Sequence, residues 1–229
     1  MRFTSTGLQE VHRLLFHQYG DPQWWPGETP FEVCIGAILT QNTAWTNAER
    51  SIGRLKELDL LDPARISDAP ASEIARAISS SGYYNQKAGY LKAFCGFLME
   101  RFCGDVEAMR GEETSILRSE LLSVKGIGEE TADSILCYAV GAPVLVIDAY
   151  TRRLFRRLSP PEWSRQFRER EPKYGEVQAF LMGRLKEENP FYNRFHALVV
   201  VHSKERCRKT PLCERCPMVG VCITGRERI

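Results

Sequence analysis

Four cysteines crowd into one short stretch near the end of the chain, spaced Cys207-x5-Cys213-x2-Cys216-x5-Cys222. In a chain without secretory features, such crowding indicates a metal site rather than disulfides. Residues 121–148, LLSVKGIGEETADSILCYAVGAPVLVID, hold a second chemical feature. Gly126 and Gly128 allow positive φ and the close approach of another backbone. They precede a helical stretch whose first N–H groups have no intrahelical acceptor, and such amides can grip a phosphate without a side-chain charge. A tight helix–helix turn that uses glycine for geometry alone would have the same spelling. Glu129 and Glu130 are odd company for a phosphate. Asp148 closes the next apolar run, where it could serve as a reacting carboxylate or as the N-cap of AYTRRLFRRL.

These residues need a scaffold, and the pattern supplies helices nearly throughout. Leu8, Val11, Leu14, Leu15 and Tyr19 recur at helical spacing. Thr29-Pro30-Phe31-Glu32 spells a capping box with proline at the first helical position, opening a helix through FEVCIGAILTQ. Further helices are expected over 44–57, 71–79, 84–102, 113–124, 129–140, 149–158, 173–187 and 190–203. Only VLVI at 144–147 looks strand-like, and four residues cannot make a sheet. The expected fold class is all-α, with a boundary near Gly141-Ala142-Pro143, where the composition turns basic.

The chain has 229 residues, 43% hydrophobic and 26% charged, which suits a globular protein with a genuine core. No apolar run approaches the roughly 20 residues of a membrane helix. The first residues, MRFTSTGLQEVHRLL, lack the apolar core of a secretory signal, so a cytoplasmic protein is expected. Net charge is only +2, yet residues 150–229 carry 18 Lys/Arg against 9 Asp/Glu. A basic last third on an acidic body fits a polyanion-binding face or a merely solvated surface.

The spelling L-x2-V-x-G-I-G-x2-T-A-x3-L, with an aspartate twenty residues after Gly128, resembles the helix-hairpin-helix DNA glycosylases of the endonuclease III superfamily. GAILTQNT (36–43), SGYYNQKA (81–88), the hairpin, VIDAYTRRL (146–154) and the cysteine loop follow in that family's order. The resemblance implies a two-lobed fold. A six-helix barrel with the hairpin would span 29–142, and a second helical domain would combine 1–28 with 143–229. It implies a monomer acting on double-stranded DNA that contains damaged bases, with Asp148 as the catalytic carboxylate. A fixed carboxylate stabilises the positive charge that builds on the sugar as the N-glycosidic bond breaks, and helps to orient water. By the same matching, Lys125, Gly126, Gly128 and Lys204 lie in or near DNA-contacting motifs. Gln41 and Tyr83 would enter the duplex, although a polar helix end and a packed aromatic are ordinary roles for them. The cysteine loop resembles the family's [4Fe–4S] loop, one residue shorter in its first gap, with Cys207, Cys213, Cys216 and Cys222 as ligands. Zinc is the chemical alternative.

The chain departs from the family at one telling position. Bifunctional members carry a lysine two residues past the second hairpin glycine, where it forms a Schiff base with the sugar. Here that residue is Glu130, which implies a monofunctional enzyme without lyase activity, though a glutamate also suits a helix N-terminus. Trp24 and Trp25 in DPQWWPG, and Trp45 after GAILTQNT, resemble the 3-methyladenine branch. Indoles stack well on cations, and an alkylated purine is one. With Glu130 they make the expected base pocket, while core packing is the plain alternative for each tryptophan. The readings that remain beside this one are a glycosylase for damaged or mismatched pyrimidines and a non-catalytic iron–sulfur DNA-binding protein.

Overall fold

The computed structural model describes residues 5–24, 27–158, 167 and 171–229, and among them all regular structure is helical. The chain divides into two compact units. One comprises Trp25–Ala142, called here the hairpin unit; the other combines Met1–Trp24 with Pro143–Ile229 and is called the terminal unit. The terminal unit opens with α1 (Ser5–Tyr19). The hairpin unit holds α2 (Pro30–Leu39), α3 (Trp45–Glu57), α4 (Pro63–Asp68), α5 (Ala71–Ala77), α6 (Tyr84–Phe102), α7 (Thr114–Ser123) and α8 (Glu129–Ser134). The chain then returns to the terminal unit as α9 (Ala149–Leu158), α10 (Tyr174–Leu185), α11 (Asn189–Glu205) and α12 (Ile223–Glu227).

Every residue of α2 from Glu32 to Leu39 is buried, as an all-apolar helix requires, so α2 is the axis of its unit. Thr29 caps it through Oγ1, which accepts from the Glu32 amide at 3.1 Å. The other arm of the expected capping box is not made. The Glu32 carboxylate, 6% exposed, turns instead to Lys56 Nζ on α3 at 2.8 Å. A carboxylate removed from water gains more from a cation than from an amide. Between α7 and α8, Arg118 grips the fully buried Asp133 with two bonds, Nε–Oδ1 at 2.7 Å and Nη2–Oδ2 at 3.1 Å. This pair fixes how the two hairpin helices cross.

Two local features differ from the sequence expectation. The helix expected over 129–140 changes pitch, and Ile135–Val140 is a π-helical segment ended by Gly141 at φ 81°. VLVI forms no strand. Two of its backbone groups pair with side chains of α10: Tyr174 OH accepts from the Ile147 amide at 3.1 Å, and Gln178 Nε2 donates to Leu145 O at 2.9 Å. This buried extended link delivers the chain to Asp148. Below it, Leu8, Val11 and Leu15 of α1 join Leu154 and Phe155 of α9, Leu181 of α10 and Phe195 of α11 in one core.

Candidate active site

The two hairpin glycines do different work. Gly126 sits at φ 88°, and a Cβ there would lie 2.2 Å from the ring of Tyr90. Glycine is needed at 126 by the protein's own packing. Gly128 has φ −94° and ψ 177°, ordinary extended values, and no atom lies within 4 Å of its hypothetical Cβ. Among the described residues no neighbour forbids a side chain at 128, so packing does not require glycine there. Glu129 and Glu130 stand exposed in the first turn of α8, and Lys125 is exposed on the loop.

Gln41 reaches this hairpin. Its Nε2 donates to Gly126 O at 2.9 Å and to Thr131 Oγ1 at 3.0 Å. Tyr83 is 68% exposed and left-handed, with φ 46° and ψ 30°, at the start of α6. A bulky residue held in that region is strained, and such strain concentrates at functional sites. Trp45, partly buried, is the first residue of α3.

Asp148 belongs to the terminal unit. Its Oδ1 accepts from the Thr151 amide at 2.7 Å and its own carbonyl from the Arg152 amide at 3.1 Å, so it caps α9. The side chain is only 13% exposed, with His196 Nε2 3.6 Å from Oδ2, an ion-pair distance too long for a hydrogen bond. Burial raises the pKa of the carboxyl. The His196 charge and the Thr151 amide outweigh it, so the group stays below its ordinary 3.8. The arrangement is an oriented, ionised carboxylate. His196 escaped the sequence reading because a histidine inside the apolar run FHALVVV resembles a core residue. Trp24 and Lys204 also lie in the terminal unit, and the lysine ammonium sits 5.4 Å from the indole centroid. Trp25 lies outside the described residues.

Residues 35–178 match the profile of the HhH-GPD superfamily base excision DNA repair proteins. The chain belongs to that superfamily. It is a base-excision DNA glycosylase, a hydrolase of N-glycosyl bonds, with DNA as its partner. It is 41% identical over 219 residues to a protein of Methanocaldococcus jannaschii provisionally described as a DNA repair glycosylase, covering 95% of this chain and 96% of that one. Among solved structures, a 3-methyladenine DNA glycosylase of H. pylori bound to 1,N6-ethenoadenine shares 30% identity, covering 88% of this chain and 95% of that one, with a TM-score of 0.71. A trapped endonuclease III–DNA covalent intermediate has the same fold, with 22% identity, 99% coverage of each chain and a TM-score of 0.81.

In this glycosylase the cysteine loop brings Cys207, Cys213, Cys216 and Cys222 to the wall of one recess, with Arg157, His202 and Met218. Among the described residues no three His, Cys, Asp or Glu side chains gather closely enough for a single metal ion. The sulfurs do meet donors suited to thiolates: Arg157 Nη1 lies 3.2 Å from Cys207 Sγ, and the Gly225 amide 3.3 Å from Cys222 Sγ. Burial pushes the Cys216 thiol up to about 11, and the neighbouring cysteines add to the rise.

Proposed function

We propose that this glycosylase is monofunctional, releases alkylated purines from duplex DNA, and carries a [4Fe–4S] cluster on its four clustered cysteines. The observation that carries the substrate class is the 30% identity, across most of both chains, to a 3-methyladenine glycosylase bound to an ethenoadenine. Trp24, Trp25 and Trp45 supply the aromatic faces a cationic base would stack on. Glu130 carries the monofunctional reading, because a carboxylate at the Schiff-base position cannot form an imine.

In this reading Gly128 and the first amides of α8 hold a backbone phosphate, while Gln41 and Tyr83 enter the duplex as the damaged base leaves the stack. Asp148, ionised and fixed by the Thr151 amide, faces the sugar. Its charge stabilises the cation that forms as the bond between C1′ and the base nitrogen breaks, and it takes the proton of the water that adds to C1′. The base departs with the bonding electron pair, an easy step for an alkylated purine that already bears positive charge. Cys207, Cys213, Cys216 and Cys222 would hold the cluster, whose four irons are then saturated by thiolate and whose chemistry is structural or electron-transferring.

Duplexes that each hold one lesion, an alkylated purine, a deaminated pyrimidine or a mismatched thymine, test the reading. Free alkylpurine should appear, with the strand intact until alkali is added and no adduct trapped by borohydride. Release of the pyrimidines alone would replace the substrate class. Efficient trapping that vanishes in Lys125→Ala or Lys204→Ala would replace the monofunctional assignment.

A further inference from the structure

Lys87 is 2% exposed, among the most deeply buried large side chains of the protein. Its ammonium donates to Leu39 O at 2.8 Å and to Ser81 O at 2.7 Å, and no carboxylate pairs with it among the described residues. Its own amide donates to Tyr83 O at 3.0 Å. One residue thus takes three carbonyls. Leu39 is the last residue of α2, two before Gln41. Ser81 lies two before Tyr83, on the far side of Gly82 at φ 67°. Gln41, Asn42, Tyr83, Gln86, Lys87 and Tyr90 together line a recess of about 290 Å³, so the lysine forms part of the wall between the two tips.

A structural lysine on a helix end needs neither of these things. Cations favour the carbonyls at a helix C-terminus, but this one is kept from water and also spans to a second, strained loop. Tyr83 holds a left-handed backbone that its side chain disfavours, and such a conformation persists only where its surroundings over-determine it. The two carbonyl bonds on either side of Tyr83 do that. Burial lowers the Lys87 pKa to about 8, so the ammonium is still the main form at neutral pH.

From this geometry we propose that Lys87 is a positioning residue for base extrusion: it sets the spacing between Gln41 and Tyr83, the two side chains that enter the duplex. The inference rests on the duplex-entering roles given to Gln41 and Tyr83 above. Lys87→Met keeps the length and apolar stem of the side chain and removes both bonds from the ammonium. Single-turnover base release should fall about a hundredfold, the scale of a misplaced catalytic geometry. Fluorescence of a 2-aminopurine beside the lesion, which reports unstacking, should fail to rise, while affinity for undamaged duplex is kept.

A mutant cycle separates positioning from general damage. On a Gln41→Ala/Tyr83→Ala background, Lys87→Met should cost little more, because its targets are gone. A full, additive loss on that background would overturn the inference, as would wild-type behaviour of Lys87→Met alone. If Gln41→Ala and Tyr83→Ala leave release and fluorescence unchanged, the duplex-entry reading falls first and takes the inference with it. Should Lys87→Met not fold, Lys87→Ala purified with n-propylammonium supplies the test. Restoration by that cation but not by 1-propanol supports the inference, and equal effects of the two overturn it.

Discussion

In the hairpin, irregular backbone is held by neutral partners. Gln41 binds Gly126 O, the Ile127 amide turns back to Val124 O, and the ring of Tyr90 lies beneath Gly126. In the cysteine loop the same task falls to guanidinium groups. Arg153 and Arg157 both donate to Cys207 O, at 2.8 and 3.1 Å, and Arg157 also reaches the carbonyls of Arg208 and Lys209. Even Arg208 turns its Nε to Lys204 O. A count of basic residues therefore includes several whose guanidinium groups are tied to the protein's own carbonyls. Much of the surplus after residue 150 holds carbonyls inside the terminal unit, whereas the hairpin keeps an open backbone face with acids beside it.

The largest expected effect tests whether fixed charge, rather than fixed shape, is what Asp148 contributes. Asp148→Asn keeps an acceptor for the Thr151 amide, so the cap of α9 survives and stability should change by less than about 0.5 kcal/mol. Base release should fall about a thousandfold or more, since the carboxylate charge is gone. Near-wild-type turnover would mean that capping is the residue's whole role. Asp148→Ala should lose release and about 1 kcal/mol of stability together.

Substituting the glycines sharpens the contrast within the hairpin itself. Gly126→Ala should destabilise by about 2–4 kcal/mol, through the left-handed backbone and the clash with Tyr90. Gly128→Ala should melt like the parent yet bind duplex DNA about tenfold more weakly, the worth of one charge-assisted hydrogen bond. Equal melting of the two variants would remove the distinction. In the cysteine loop, Arg157→Gln should cost about 1–3 kcal/mol by leaving carbonyls short of donors. It should lower iron and sulfide content, and it should change affinity for undamaged duplex far less than Gly128→Ala does. A larger loss of DNA affinity than of iron would mean that Arg157 faces the phosphates after all.

Helix positions were legible in the sequence because amphipathic stretches carry a strong period, as in 45–57 and 149–158. The short α4, Pro63–Asp68, has too few turns to show one, and its Asp62 cap with Pro63 was the only local signal. The strand-like spelling of VLVI reflects burial on all sides, which an extended link shares with a strand. Spacing identified the four cysteines but not the arginines that hold their loop, because those contacts join residues some fifty positions apart. Lys87 was hidden for the same reason. A lysine in SGYYNQKA reads as surface until Leu39 and Ser81 are seen to enclose it.

That burial yields an effect on stability rather than on catalysis, a pH dependence that arises in the hairpin unit. Desolvation alone lowers Lys87 from 10.5 to about 8 in the folded protein. Between those values the unfolded chain holds the proton and the folded chain does not, so the contribution of Lys87 to stability rises with pH across the window. Below about pH 8 both states are protonated and the burial penalty is constant. The stability of the parent relative to Lys87→Met should therefore climb from pH 8 toward 10.5, even though Tyr19, Cys34 and Cys95, all raised by burial, pull total stability down in both proteins alike. Chemical denaturation of the two proteins at matched pH measures the difference. A flat difference across the window would place the ammonium in contact with water, and Lys87 would then not be the buried cation that the Leu39 and Ser81 carbonyls enclose.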